Sequence, residues 1–240
     1  DKIIYIPLGL ITAIGTVMLP RISSIVGESK EKTEKLLSKS TELSICMSCA
    51  VGFGIAAIAR VFVPLFFGEG YEKCVNLLVL FVPVLFVKSL SNVIDQQYLI
   101  PAKCDNQYTL AVTGGAIVNL ICNGLLIPQL GSVGATLGTL MAELSVLIVS
   151  AHCAKKEIRF FRMFSRYSYY LLLGLIMFIA VRFFDSYTHI ERSFIRLILM
   201  IMIGGGVYSL LCLTVWLKVK EKSVFGSILI SLSKKGAIRK

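Results

Sequence analysis

The side chains in this sequence that could do chemistry are polar and charged groups set inside long apolar stretches. Lys88 lies near the middle of the apolar run 74–101. An ammonium group at the centre of a bilayer costs about 2.5–3.5 kcal/mol on insertion scales, so such residues usually face a bundle interior or a watery cavity. Lys88 therefore predicts a site for a charged ligand. The simpler alternative is that it extends to the membrane surface or pairs with a neighbouring helix.

Two asparagines and two acids are the other polar groups of interest. Asn119 and Asn123 are four residues apart and share one face of a helix. Glu143 lies in the next apolar stretch, and Asp95 follows Lys88 near the inner boundary of its run. Such side chains either form hydrogen bonds between helices or line a cavity, and the sequence leaves both interpretations open. All four are candidates for lining a transport cavity or for coupling transport to an ion.

Basic residues within or at the border of apolar stretches outnumber these acids. They are Lys2, Arg60, Lys88, Arg182 and Arg196. A cleft with this balance of charge favours an anion, because basic groups in a low-dielectric cavity hold phosphate strongly. The sequence therefore predicts a cationic cavity for a phosphate-bearing ligand, with Lys2, Arg60 and Lys88 as its binding residues.

Other chemistry has little support. The two histidines, His152 and His189, are too far apart in the chain to suggest a metal pair, and Cys46 and Cys49 form a lone CxxC among small helical residues. There is no GxxxxGK[ST] phosphate loop and no nucleophile triad. We therefore predict no cofactor, no metal and no enzyme. The net charge of +11 lies in short loops between apolar runs, so it does not indicate nucleic-acid binding.

The elements that position these groups are membrane-spanning helices. The chain of 240 residues is 56% hydrophobic and 16% charged, with a mean hydropathy of +0.79, which is typical of a polytopic membrane protein. The fold class predicted is an all-α bundle of about seven spans. The predicted spans are 2–20, 43–67, 74–100, 108–128, 133–154, 167–184 and 194–217.

The connections between these spans differ in charge. One alternating set, 21–42, 101–107, 155–166 and the tail 218–240, carries eighteen basic residues, and the other carries two. The positive-inside rule therefore places the C-terminus in the cytoplasm. Within this set, 27–42 is predicted to form a short solvated helix and the tail to lie along the inner leaflet. Because the chain begins with Asp1 and enters an apolar helix at once, we expect it to be a fragment of a longer protein.

Four segments resemble a known family in order and spacing. They are DKIIYIPLGLITAIGTVMLPRISS at 1–24, FVPLFFGEGY at 62–71, LSNVIDQQYLIPAK at 90–103 and GAIVNLICNGLLIPQLGSVGATLGTLMAE at 115–143. Together they resemble the C-terminal half of bacterial lipid-linked oligosaccharide flippases. These are the Wzx-type polysaccharide transporters of the multidrug/oligosaccharidyl-lipid/polysaccharide exporter superfamily. The likeness covers about 1–157, and the last two spans match by hydropathy alone.

The resemblance implies two six-helix lobes facing each other across a cavity, often with two extra helices. The chain would then divide into a C-terminal lobe at 1–157, two additional helices at 158–217 and a basic cytoplasmic tail at 218–240. In related lipid II flippases a basic residue ahead of a Pro-x-Gly of the first helix is thought to meet the diphosphate, and Lys2, ahead of Pro7 and Gly9, stands there.

The function that this resemblance implies is transport in the bacterial cell membrane. Half of a transporter would flip an undecaprenyl-diphosphate-linked sugar repeat from the inner to the outer leaflet by alternating access, for capsule, O-antigen-like or exopolysaccharide export. Its partners would be that lipid-linked sugar, the bilayer, the missing N-terminal lobe of the same chain and the polysaccharide polymerase machinery. The alternatives are a drug or cation antiporter of the same superfamily, which would use Glu143 and Asp95, and a membrane scaffold or integral glycosyltransferase.

Overall fold

The computed structural model describes residues 2–155, 158–188 and 194–219, and in these ranges the chain is helical without strands. The helices are α1 (Lys2–Ser23), α2 (Lys30–Phe67), α3 (Lys73–Leu80), α4 (Val82–Ile94), a π-helix (Asp95–Leu99), α5 (Asp105–Leu130), α6 (Ser132–Ala154), α7 (Phe160–Tyr167), α8 (Tyr169–Tyr187) and α9 (Phe194–Val219). This arrangement confirms the predicted all-α fold. The tail predicted to lie on the inner leaflet falls outside the described residues from position 220 onward.

Six helical segments of the described chain are long and apolar enough to cross a membrane. They are Lys30–Phe67, Lys73–Leu99, Asp105–Leu130, Ser132–Ala154, Phe160–Tyr187 and Phe194–Leu217. They match six of the seven predicted spans. The remaining prediction falls on α1, which has 22 residues and is therefore about 33 Å long at 1.5 Å per residue.

The second span is longer than the sequence predicted. A separate short helix was expected at 27–42, but α2 runs without a break from Lys30 to Phe67. Its N-terminus is capped by Ser29, whose side chain accepts a hydrogen bond from the Lys32 amide at 3.4 Å. Leu37 and Glu42 are fully or almost fully buried in this part of α2. The charged segment therefore continues the helix because one of its faces packs against the protein.

The third span is broken twice. Pro83 stands at the start of α4, where it lacks the N–H that a continuous helix would need, and the chain turns between Leu80 and Val82. At the other end, the Ile100 amide donates to the Asp95 carbonyl at 3.1 Å, which is the five-residue spacing of a π-helix. Short π-helices occur frequently at functional sites. Lys88 lies between the two irregularities.

Helices α5 and α6 form a tight hairpin around Gly131, which has a φ of 56°. A Cβ at Gly134 would meet the backbone of Leu126, and one at Gly138 would meet the side chain of Asn123. These two glycines therefore allow a close approach that a larger residue would prevent.

The last two spans pack against α2 and against each other. The Tyr170 hydroxyl of α8 donates to Glu42 of α2 at 3.1 Å, and Trp216 of α9 donates to Tyr170 at 2.8 Å. Farther along α8, Asp185 accepts hydrogen bonds from Arg182 at 3.0 Å and from Arg196 of α9. Arg182 and Arg196, two of the three arginines that the sequence placed within or at the border of apolar stretches, therefore share the carboxylate of Asp185.

Candidate functional site

A cavity of about 650 Å³ lies between the broken third span and the α5–α6 hairpin, and we call it the polar groove. Its polar lining consists of Lys88, Ser91, Asn92, Asp95 and Gln96 from α4 and the π-helix, Tyr108, Asn119 and Asn123 from α5, and Thr139 and Glu143 from α6. A second cavity of about 750 Å³, between α2, α8 and α9, has an almost wholly apolar wall. Of these two cavities, the polar groove is the one that holds groups able to bind a charged ligand.

Lys88 and Glu143 form an ion pair across this groove. The Nζ atom of Lys88 donates to Oε1 of Glu143 at 2.7 Å, linking α4 to α6. The lysine side chain is 40% exposed and the glutamate side chain 16%. Among the interpretations of Lys88 that the sequence left open were a site for a charged ligand and an ion pair with a neighbouring helix. The ion pair is present, and it lies beside a cavity. The lysine is thus both partnered and accessible.

Several acceptor oxygens in the groove lack partners within the described chain. They are Oδ1 of Asp95, Oδ1 of Asn123 and Oε2 of Glu143, all buried. Asn123 uses its amide nitrogen to donate to Asn119 at 2.9 Å. A buried acceptor without a hydrogen bond costs about 1–3 kcal/mol. The groove is therefore arranged to accept hydrogen bonds from hydroxyls, amides or cations that enter it.

The charges that line the groove are mixed in the part of the chain that the structure describes. Lys88 is the one basic residue lining it among those that the structure describes, against two acids, Asp95 and Glu143. Asp95 is near enough to both Lys88 and Glu143 for their charges to interact. Position along an apolar run gives the depth of a charge but not the direction in which it points, and the cationic cavity, which includes Lys2, stays a prediction.

Arg60, another of the predicted cations, is not brought into the groove. Arg60 lies on α2 with an exposed side chain and is absent from the groove lining. Lys2 begins α1, and its side chain lies outside the described part of the structure. Of the three predicted binding cations, the structure therefore places Lys88 at the groove, together with all four polar candidates, Asp95, Asn119, Asn123 and Glu143.

Sequence reasoning missed five polar groove residues, namely Ser91, Asn92, Gln96, Tyr108 and Thr139. A signal for some of them was present. Positions 88, 91, 92 and 95 follow the three- and four-residue spacing of a single helical face, which continues from Lys88 to Asp95. Thr139 similarly precedes Glu143 by four residues. Ser91, Asn92 and Thr139 therefore lie within about one helical turn of an intramembrane charge, whereas Tyr108 does not.

Three comparisons with known proteins bear on this site. The family model described as "Lipid II flippase MurJ" matches residues 1–203. The chain is similar to a solved structure titled "Lipid II flippase MurJ, inward closed conformation", with a TM-score of 0.74 and 16% sequence identity. That match covers 91% of this chain and 46% of the other, so this chain spans about half the length of its solved relative. At this identity the match shows a common fold. A comparison with curated protein sequences gave no match.

Proposed function

The chain belongs to the lipid II flippase MurJ family, and on this premise we propose that it forms one lobe of a transporter for a lipid-linked saccharide diphosphate. It is a multi-pass membrane protein of a family named for transport, which agrees with the prediction of a transporter rather than an enzyme. By the resemblance described above, we assign 1–157 to the C-terminal lobe, 158–217 to two additional helices and 218–240 to a cytoplasmic tail. The other lobe would complete the transport cavity.

The observation that supports this function most directly is the accessible ion pair of Lys88 in the polar groove. A diphosphate carries more negative charge than one carboxylate and makes strong charge-assisted hydrogen bonds with an ammonium group. We propose that the diphosphate of the substrate displaces Glu143 from Lys88 and takes its place. Glu143 then returns when the substrate leaves. Because the exchange replaces one ion pair with another, the lysine is never left without a counter-charge inside the membrane.

The same exchange would couple binding to helix movement. Lys88 and Glu143 belong to α4 and α6, so their separation removes a bond between these helices. Helix α4 is bounded by the break before Pro83 and by the π-helix that begins at Asp95, and interruptions of this kind allow bending. We propose that α4 shifts against the hairpin in this way as the two lobes alternate in their access to the leaflets.

Two substrates of one chemical class are consistent with this groove. The family description names lipid II, whereas the sequence segments resemble flippases of undecaprenyl-diphosphate-linked oligosaccharide repeat units. Both carry a diphosphate, so Lys88 would serve either. Lipid II is the substrate we propose first, because the family match covers residues 1–203 and the segment resemblance covers 1–157. The oligosaccharide repeat unit is the second.

A cation antiporter is the second candidate function, and one observation favours it. Asp95 and Glu143 each have a buried carboxylate oxygen without a partner in the described chain, and such oxygens are ligands for a proton or a small cation. In that case Glu143→Gln should abolish cation-driven drug efflux while Lys88→Gln leaves it intact. In a flippase, by contrast, Lys88→Gln should lower the rate of lipid transfer.

The experiment that tests the proposal measures transfer between leaflets with the protein at its full length in proteoliposomes. Lipid II and an undecaprenyl-diphosphate oligosaccharide are supplied in separate preparations. Lys88→Gln should lower the rate at least tenfold for the transported lipid, because the groove loses its cation. Arg60→Gln is the matched control, since it removes an exposed cation that does not line the groove.

The control should retain most of the wild-type rate. Equal loss in both variants would mean that overall charge, and not the groove, supports transport. No transfer of either lipid by the wild-type protein would contradict the proposed function itself.

A further inference from the structure

A basic cleft lies between the first turns of α2 and the short helix α7. It has a volume of about 580 Å³ and shares no lining residue with the polar groove. Five cations line it, namely Lys35, Lys39, Arg159, Arg162 and Arg166. Two acids, Glu31 and Glu34, also line it, so the formal charge of the lining is +3. The cleft therefore attracts anions, in contrast to the mixed charge of the polar groove.

Helix α7 presents the three arginines on one side. Arg159, Arg162 and Arg166 are spaced by three and four residues, so they share a helical face, and all three are exposed. The face that packs inward is formed by Phe160, Met163 and Tyr167, which are 4%, 6% and 4% exposed. The ring of Phe161 is 71% exposed. A short helix with buried, basic and exposed aromatic faces is typical of a membrane–water interface.

Helix α7 is held against α2 and α4 by contacts that leave these arginines out. The hydroxyl groups of Tyr167 and Ser38 are 2.9 Å apart and join α7 to α2. The ring of Phe164 packs edge-on against Phe86 of α4, with a centroid distance of 6.0 Å. Within the part of the chain that the structure describes, none of the five cations takes part in an ion pair. The cleft thus holds an excess of cations, and among the described residues none of them is paired with Glu31 or Glu34.

We propose that this cleft binds the phosphate headgroup of an anionic phospholipid of the surrounding membrane. Guanidinium groups match phosphate oxygens in geometry and charge. Basic pockets between helices at the cytoplasmic surface are suited to anionic headgroups, and the charge of 155–166 predicts that side for α7. Helix α8 enters the membrane from Tyr169, two residues after α7. The acyl chains would therefore lie beside Phe161 while the phosphate meets the arginines.

Native mass spectrometry of the full-length protein in detergent tests this site. The probes are phosphatidylglycerol and phosphatidylcholine with identical acyl chains. Arg162→Gln should weaken phosphatidylglycerol binding about fivefold, because one basic residue near an anionic headgroup contributes about 1 kcal/mol. The combined change Arg159→Gln, Arg162→Gln and Arg166→Gln should weaken it by more than tenfold. Phosphatidylcholine binding should stay unchanged in every variant.

Arg60→Gln is the matched control, because it removes one exposed arginine outside the cleft and should leave both lipids bound as before. Unchanged phosphatidylglycerol binding in the combined variant would overturn the proposal, as would an equal loss for the two lipids. Full displacement of phosphatidylglycerol by millimolar inorganic phosphate would overturn it too, by assigning the cleft to a soluble anion. A thermal unfolding curve for each variant establishes that the binding loss belongs to folded protein.

Discussion

Removing the charge of Glu143 should strengthen the binding of a diphosphate lipid. In the free groove, Lys88 is held by Glu143 at 2.7 Å, so a diphosphate must first replace that carboxylate. Two charges 4 Å apart attract by about 1 kcal/mol in water and about 4 kcal/mol near a protein surface, while exposed ion pairs contribute only about 0.2–1 kcal/mol. Because the Lys88 side chain is 40% exposed, we expect its attraction to Glu143 to exceed that of a fully exposed pair and to fall short of the figure of about 4 kcal/mol, at about 1–2 kcal/mol.

Glu143→Gln should therefore tighten the dissociation constant by roughly 5–30-fold, since each 1.4 kcal/mol is a factor of ten. Lys88→Gln should weaken it, and the double variant should show no gain over Lys88→Gln. The dissociation constants are measured by titrating the full-length protein with lipid II in detergent. Asp185→Asn is the control, because it removes a paired carboxylate that lies outside the groove, and it should leave the affinity unchanged. Weaker binding in Glu143→Gln would refute the exchange of Glu143 for phosphate.

Two further predictions concern stability, measured by thermal unfolding in detergent. Gly134→Ala should lower the melting temperature, at a cost of about 1–3 kcal/mol from overpacking, because the new Cβ would lie 2.9 Å from the Ile127 nitrogen. Gly124→Ala should not lower it, since no atom lies within 4 Å of that Cβ; equal losses would contradict the close α5–α6 contact. Tyr170→Phe should cost about 1–3 kcal/mol by removing one buried and one partly buried hydrogen bond between α2, α8 and α9. Tyr187→Phe, at a side chain 71% exposed, should have little effect, and an unchanged melting temperature for Tyr170→Phe would count against this network.

The fold could be predicted from the sequence more fully than the set of residues that line the polar groove. The spans followed from hydropathy because each is a long apolar run. Helical spacing placed Asn119 and Asn123 on one face and made them, with Glu143, candidates for lining a cavity, although hydrogen bonds between helices were an equal alternative. Both patterns depend on residues that are close together in the chain, so they can be read from a single amino-acid sequence.

The charge of the groove and the true length of α2 were not accessible in the same way. The pairing of Lys88 with Glu143 joins residues 55 positions apart and depends on how two helices are rotated about their axes. The exposure of Arg60 is likewise set by the packing of α2. The charged start of α2 stays helical because other elements bury Leu37 and Glu42. This burial cannot be predicted from the residues of α2 alone.

The proposed transport requires Lys88 to bind the diphosphate, and a cryo-EM structure with a polyprenyl-diphosphate saccharide bound tests this most directly. We expect a phosphate oxygen within about 3 Å of Lys88 Nζ, the distance of a charge-assisted hydrogen bond. Glu143 should then have moved away from its 2.7 Å contact. A phosphate bound elsewhere, with the Lys88–Glu143 pair intact, would contradict the central claim.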